Sequence, residues 1–396
     1  MRLRMMHFIL SAVWIVAVVG IVSSSLYYLL CMWGAFQFLS EKKGNTLQSS
    51  EAWPPISILK PLKGTDPEIY ECFRSHCLQQ YPEYEIIFGV NDGNDPAIES
   101  VKSLQLEFPD RRIQLVVSPL VLGANVKVSN LAQMLPEARY EHLIVNDSDI
   151  RVEPDYLRRV IAPLSDSRVG MVTCLYRGVA ARTLGSRLEA LGISTEFCAG
   201  VLAARQLENG IRFGLGSTLA FRRAELKQIG GFASIVNHLA DDYELGKRIA
   251  DLELAVKLSD VVVETYLPAY GLRDFFAHQL RWARGVRDAR AGGYFGLAFT
   301  FGILWSLLAI AASGTKLWSW ILLISTLFLR FAVAGLVGGK VLRDRQVLKY
   351  WWLIPLRDLI AVVVWIVSLG GHTVTWRGDR FSLKNGKLTR IEPRCD

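Results

Sequence analysis

The stretch HLIVNDSDIRV, residues 142–152, runs a short apolar strand straight into two acids, Asp147 and Asp149, with Ser148 between them. Residues at i and i+2 of an extended backbone point the same way. Two carboxylates so placed repel each other at pH 7 unless a cation sits between them. A turn asks for one Asx residue, not for two acids closing a buried strand. Mg²⁺ and Mn²⁺ are hard cations, held by one or two carboxylates together with substrate phosphates. The stretch therefore reads as a strand terminus whose Asp147 and Asp149 hold a divalent cation, and through it a diphosphate.

Working outward, other short apolar runs bounded by turn signals lie on either side: ISILKPL (56–62), YEIIFGVNDG (84–93), RIQLVVSP (112–119) and VGMVTCLY (169–176). Amphipathic stretches separate several of them, such as PEIYECFRSHCLQQ (67–80) and PAIESVKSLQLEF (96–108). Strand–helix–strand alternation predicts βαβ units, an α/β class and a mainly parallel sheet. Ligands of such sheets sit at the carboxyl ends of strands. Asp92, directly after IIFGV, is at that end too, although Asn-Asp-Gly is also good turn chemistry. The run IRFGLGSTLAFRR (211–223) is rich in glycine, but Leu219 stands where a third glycine of G-x-G-x-x-G would be, so it implies no Rossmann cofactor.

The chain has 396 residues, a net charge of +8 and a mean hydropathy of +0.25, high for a chain with 21% charged residues. Apolar blocks joined to a soluble region explain that average. The first block, residues 8–39, carries no charge and exceeds the roughly 20 residues that span a bilayer. It is too long for a cleaved signal peptide and no small-x-small site follows it, so 1–40 is expected to be an anchor and 41–55 a polar, proline-closed linker. Further blocks cover 294–313, 317–339 (interrupted by Arg330) and 351–371 (with Arg357 and Asp358 near its start). Ions in lipid are costly, so the last block is expected to be an interfacial piece followed by a shorter span, with three or four spans in all between 1–40 and 293–371. Residues 372–396 read as a basic tail. The six cysteines form no C-x-x-C pair, which points to reduced thiols rather than zinc or a disulfide framework. The positive charge fits an anionic leaflet, and no basic–aromatic motif supports nucleic acid.

Two more regions carry chemistry. Asp241 and Asp242 open a helical pattern in HLADDYELGKRIAD, with Tyr243, Leu245 and Ile249 on one face. One acid suffices to complement the helix dipole; a second can face a cleft as a general base. FFAHQLRWARGVRDAR (275–290) is basic, amphipathic and next to a membrane block, which reads as an interfacial helix over 273–292. Arg281 beside Trp282 could neutralise a leaving diphosphate. The apolar segment 187–206 could line an acceptor entrance or be a buried helix.

Taken in order, Asp92, Asp147-Ser-Asp149, Asp242 and Arg281-Trp282 before membrane spans resemble the D, DxD, D, (Q/R)xxRW signature of inverting, processive-type and lipid-linked family 2 glycosyltransferases. ISILKPLKGTDPEI, NDSDIRV, ADDYELGKRIAD, HQLRW and TWRGDRFSL narrow the resemblance to the ceramide glucosyltransferases and their bacterial relatives, among them the hopanoid-biosynthesis-associated glycosyltransferases, over nearly the whole chain. One departure is that His278 stands at the first position of (Q/R)xxRW, with Gln279 one residue late.

The resemblance implies a GT-A-type nucleotide-sugar-binding domain over 56–272, with a mixed, mainly parallel sheet and transmembrane and interfacial helices. It implies transfer of a hexose from a UDP-sugar, with inversion, to the primary hydroxyl of a membrane lipid. Asp92 would contact uridine, and Asp147 and Asp149 would hold Mg²⁺ or Mn²⁺ on the diphosphate. Asp242 would be the general base. Arg281 and His278 would stabilise departing UDP, and Trp282 completes the motif. Lys60, Lys63 and Lys127 would be phosphate contacts or plain solvated lysines. UDP-glucose with ceramide is the foremost pairing, and UDP-N-acetylglucosamine with a hopanoid polyol the alternative. A processive polysaccharide synthase would call for more spans and an intact Q-x-x-R-W. An inactive membrane scaffold would tolerate loss of the acids. A cytosolic UDP-sugar would place the catalytic domain on the cytoplasmic side.

Overall fold

The computed structural model describes residues 2–44, 53–314, 316–376 and 378–391. Most of the linker expected over 41–55, residues 45–52, and the last five residues, with Cys395, lie outside the described residues.

The apolar runs form strands β1 (Ile56–Pro61), β2 (Tyr84–Val90), β3 (Arg112–Val117), β4 (His142–Val145), β5 (Ile150–Arg151), β6 (Val169–Val179), β7 (Leu219–Arg222) and β8 (Ala255–Tyr266), in the sheet order β3-β2-β1-β4-β7-β6-β8-β5. β1 runs parallel to β2 and β4, β2 to β3, and β6 to β8. β7 is antiparallel to β4 and β6, and β5 to β8. The sheet is thus mixed and mainly parallel, as expected, and the fold is of the GT-A type. β1 and β2 are buried at every position, which is why they read as unbroken apolar runs. One core layer packs Phe73, Phe88 and Tyr156 against the sheet, and the other packs Leu131, Phe221 and Ile249.

The reversed direction of β7 places the site. Its first residue, Leu219, pairs with Val145, the last residue of β4. The loop before β7, with Gly216 and Ser217, therefore lies beside the loop after β4, with Asp147. Asn146 locks the two together by donating to the Ser217 carbonyl at 2.7 Å.

The N-terminal helix, Arg2–Gly44, has 43 residues, about 65 Å at 1.5 Å per residue. Its inner end is pressed onto the helix Cys198–Leu207, so closely that a Cβ at Gly34 would lie 2.6 Å from the Leu202 carbonyl oxygen. Among the described residues three helical segments are long and apolar enough to cross a membrane, Arg4–Glu41, Leu317–Val341 and Trp351–Leu369. A pair bent by 50°, Ala291–Thr300 and Gly302–Ser313, raises the number to four if it counts as one span. These segments make up a multi-pass membrane protein.

The structure moves the interrupted segment expected near 351–371 to 291–313. The ions that suggested the interruption are held inside the protein. Arg330 makes two bonds to Asp358, at 2.7 and 2.8 Å, and donates to Thr195. Arg357 lies 3.1 Å from Glu196 and donates to Gln279. Paired in this way, they do not face lipid and need no break in the helix Ile354–Leu369.

The tail expected over 372–396 is folded where it is described. β9 (Thr373–Trp376), β10 (Asp379–Lys384) and β11 (Lys387–Arg390) form an antiparallel sheet. Val374, Phe381, Leu383 and Leu388 bury one face of it against Leu239. The amphipathic helix Leu272–Ala289 also holds this region. Arg284 donates to the carbonyls of Gly370 and Thr373, and Arg287 to those of Ser368 and Gly371. These arginines thus satisfy carbonyls left open at the end of the helix Ile354–Leu369.

Candidate active site

A cavity of about 950 Å³ opens where the carboxyl ends of β1 and β4, the loop before β7, the helices Asp241–Ala250 and Leu272–Ala289, and the C-terminal sheet meet. Asp147, Asp149, Asp242, Lys127, His278, Arg281 and Trp282 all line it. Residues up to 155 positions apart in sequence are thereby brought to one place.

At the sheet end, Lys127 sits among three acids. Its Nζ is 2.7 Å from Asp147 and 3.2 Å from Asp241. Burial alone would lower its pKa, but Asp147, Asp241 and Asp242 outweigh burial and hold it protonated. Asn125 caps the helix Val126–Met134, which carries Lys127, and also donates to the His238 carbonyl and to Asp241.

Asp242 is pushed up to about 6, first by burial and then by Asp241. Its Oδ2 accepts from the Gly216 N–H at 2.8 Å and its Oδ1 from the Tyr243 N–H at 2.8 Å. At Gly216 the backbone comes close to two acids at once. A Cβ there would be 3.0 Å from Asp147 Oδ2 and 3.3 Å from Asp242 Oδ2. One backbone residue thus separates the strand-end acid from the helix-start acid.

Asp149 is raised to about 7, by burial and then by the charge of Asp147, while the Thr265 hydroxyl donates to it at 2.5 Å. Ser148, between the two acids, donates to Asp66 at 2.5 Å. Among the described residues no group of three or more His, Cys, Asp or Glu side chains is arranged to hold a metal. Two carboxylates facing one cavity, with their mutual repulsion uncompensated at Asp149, are instead a donor set for a hard cation that takes the rest of its shell from phosphates and water. The residues fit Mg²⁺ or Mn²⁺ in that partial sense.

Two expected contacts lie elsewhere. Lys60 is fully buried beneath the β4 loop, donates to the Asp147 carbonyl at 3.0 Å, and is lowered to about 8 chiefly by burial. It supports the loop from below and does not line the cavity. Asp92 is exposed, and its carboxylate accepts from the Asn94 N–H at 2.9 Å, closing its own turn outside the cavity lining. Lys63 lines the cavity and lies 4.0 Å from Asp379 of the C-terminal sheet.

At the membrane end, His278, Arg281 and Trp282 share one face of the helix Leu272–Ala289. Arg281 lies over the Trp376 ring at 5.9 Å, and Trp282 is 6.4 Å from Phe197. His278 Nδ1 bonds the buried Glu189 carboxylate, and its ring lies 5.5 Å from Tyr270 and 5.0 Å from Trp282. Gln279 is buried against Arg357 instead. The segment 187–206 is a buried helical rod whose Glu189, Ile193 and Phe197 also reach the cavity. Sequence reasoning did not single out Asp66, Glu189, Gly216 or the wall formed by Thr373–Trp376 and Asp379–Phe381 as parts of the site.

With this geometry in hand, comparison with known proteins decides the family. The model of glycosyl transferase family 21 matches residues 12–389. The chain belongs to that family. Ceramide glucosyltransferase 3 of Caenorhabditis elegans is 24% identical over 391 residues, covering 96% of this chain and 83% of that protein. Ceramide glucosyltransferase 1 of the same organism is 22% identical over 390 residues, 95% and 81% of the two chains. The ceramide glucosyltransferase of Komagataella phaffii is 33% identical over 158 residues, 39% of this chain and 31% of that one. Among solved structures, the mannosyltransferase PcManGT from Pyrobaculum calidifontis, in complex with GDP-Man and Mn²⁺, superimposes with a TM-score of 0.52 at 19% identity, covering 91% of this chain and 100% of that one. That likeness bears on the fold. The family 21 member described here is a membrane-associated glycosyltransferase related to the ceramide glucosyltransferases.

Proposed function

We propose that this family 21 member transfers a hexose, with inversion, from a UDP-sugar to the primary hydroxyl of a membrane lipid, with UDP-glucose and ceramide the foremost pair. The observation that carries the reading is the closeness of Asp147 and Asp242 around Gly216. An acid that holds the donor's diphosphate and an acid that serves the acceptor must act on one anomeric carbon, and here one glycine lies between them.

Asp147 and Asp149 hold the donor side, with 56–272 as the catalytic unit. Mg²⁺ or Mn²⁺ there would neutralise charge on the diphosphate; the mannosyltransferase of similar fold carries Mn²⁺ with its GDP-Man. Lys127 holds the charge of Asp147 and Asp241 and lies within reach of the same phosphates. Asp242 takes the proton from the acceptor hydroxyl as its oxygen attacks the face opposite the leaving group. A carboxylate raised to about 6 is a stronger base than an ordinary one and is still ionised at pH 7. Arg281 and His278 face the departing diphosphate, where negative charge develops. Trp282, with Phe197 and Ile193, offers apolar surface to the acceptor. Asp92 could reach uridine only by turning away from its own turn. A cytosolic UDP-sugar places the catalytic unit on the cytoplasmic side.

The test is an assay of the protein in nanodiscs with Mg²⁺ or Mn²⁺. UDP-glucose and UDP-N-acetylglucosamine are each offered with ceramide and with a hopanoid polyol, alongside a chelator control. Glucosylceramide that disappears on chelation is the expected result. Transfer of N-acetylglucosamine to the hopanoid alone would keep the chemistry and change the substrates. No UDP release with any pair would favour an inactive scaffold.

A further inference from the structure

His278 stands where the resembling signature has Gln or Arg, and the structure gives it a partner that the sequence did not reveal. Glu189 is 1% exposed and sits on the helix Leu184–Gly192, 89 positions away from His278 in the chain. A buried carboxylate is costly unless something donates to it. Among the described residues the only hydrogen-bond donor to Glu189 is the Nδ1 of His278, 3.0 Å from Oε1 and 3.1 Å from Oε2. The ring is further fixed by Tyr270, nearly parallel to it at 26°, and by Trp282. With Nδ1 bound to Glu189, Nε2 is the ring nitrogen left to serve the cavity that His278 lines.

We propose that Glu189 is the positioning residue of this site. It accepts from the Nδ1–H of His278 and so turns Nε2 toward the oxygens of the departing diphosphate, to which the Nε2–H of the imidazolium donates. The hydrogen bond made by one ring nitrogen sets the state and direction of the other. The pair thus takes the place of the amide or guanidinium of the signature: a shorter imidazole reaches the same region because a second helix braces it. This inference rests on the transferase reading given above, and it assigns a function to a residue outside the signature.

A double-mutant cycle with two readouts tests it. Glu189→Ala is expected to lower kcat about tenfold or more with a KM for the UDP-sugar changed less than about threefold. Glu189→Gln, which keeps an acceptor for the Nδ1 proton, should restore most of the loss. In a His278→Gln background, Glu189→Ala should cost less than about twofold, because the group it positions is gone. Equal losses in the two backgrounds would mean that Glu189 acts through packing alone, and would overturn the proposal.

The second readout is ¹⁵N NMR of histidine-labelled protein in nanodiscs, with the His278 signal among the six histidines identified by its loss in His278→Gln. A protonated Nδ1 in the wild type that is lost in Glu189→Ala is expected. A wild-type ring protonated on Nε2 alone overturns the proposal even if Glu189→Ala is inactive. A wild type that turns over no donor–acceptor pair defeats the transferase reading itself, and the catalytic half of this inference with it, whereas additive losses in an active enzyme defeat only the inference.

Discussion

The two ends of the cavity are built in different ways. At the sheet end, each acid sits within a few residues of a strand or helix terminus and is held by a backbone N–H, by Lys127 or, at Asp149, by the Thr265 hydroxyl. At the membrane end, His278, Arg281 and Trp282 share one helix, and their partners Glu189, Trp376 and Phe197 come from three separate parts of the chain. The sheet end therefore has its charge placement fixed by main-chain geometry. The membrane end depends on how helices and the C-terminal sheet pack. Changes at the first end should cost activity without unfolding, and changes at the second should cost stability and orientation.

Apart from loss of the general base, the largest effect should come from Asp149→Asn. It should cut transfer by about 10²–10³-fold and weaken dependence on added metal, with the melting temperature unchanged or raised because a half-buried carboxylate repelled by Asp147 is removed. A variant that folds equally well and keeps wild-type turnover would break the comparison from the sheet side. Next is Arg330→Ala, which strands Asp358 inside the helix bundle and should cost about 3–5 kcal/mol. Thermal unfolding in detergent measures this. Replacing Arg330 and Asp358 together with leucines should recover most of the loss.

A milder test uses pH. Asp242 has its pKa raised to about 6, so it gains a proton as pH falls through that value and ceases to act as a base. Transfer should therefore be flat above about 7 and fall about tenfold per unit below about 6. A profile that is flat down to pH 5 would move the base elsewhere. Gly216→Ala should cost about tenfold in kcat, since its Cβ would meet Asp147 at 3.0 Å and Asp242 at 3.3 Å and must push one aside. The smallest expected effect is that of Arg284→Ala, which removes bonds to two carbonyls at the C-terminal sheet and should lower stability by about 1–2 kcal/mol.

The same contrast explains what the sequence disclosed. β1, β2, β4 and β6 were legible because a buried strand leaves an apolar run between turn residues. Asp147, Asp149 and Asp242 were legible because their placement is local to a strand end or a helix start. β7 escaped notice because it follows a glycine cluster directly and ends on Arg222, and β8 because its register shifts opposite Cys174–Leu175, which breaks its pattern midway. Gly216 was visible only as part of a glycine cluster, and the close approach that needs it depends on an antiparallel strand no local pattern announces.

The C-terminal sheet was hidden by its positive charge, although it carried a usable signal. Asn385 and Gly386, both at positive φ, form the two-residue connection of a hairpin between strands whose apolar residues alternate. Glu189 carried no such signal, because an acid inside an apolar helix gains its meaning only from a partner that the fold supplies.

The central claim is that Asp242 serves the acceptor while Asp147 and Asp149 serve the donor. The most direct measurement compares Asp242→Asn with the wild type in two respects: UDP-sugar binding by calorimetry in the presence of Mg²⁺ or Mn²⁺, and transfer to lipid under single-turnover conditions. Donor binding within about threefold of wild type, with transfer lowered at least about 10²–10⁴-fold, is the result expected. Transfer that persists in Asp242→Asn, or a loss of transfer matched by an equal loss of donor binding, would contradict the assignment.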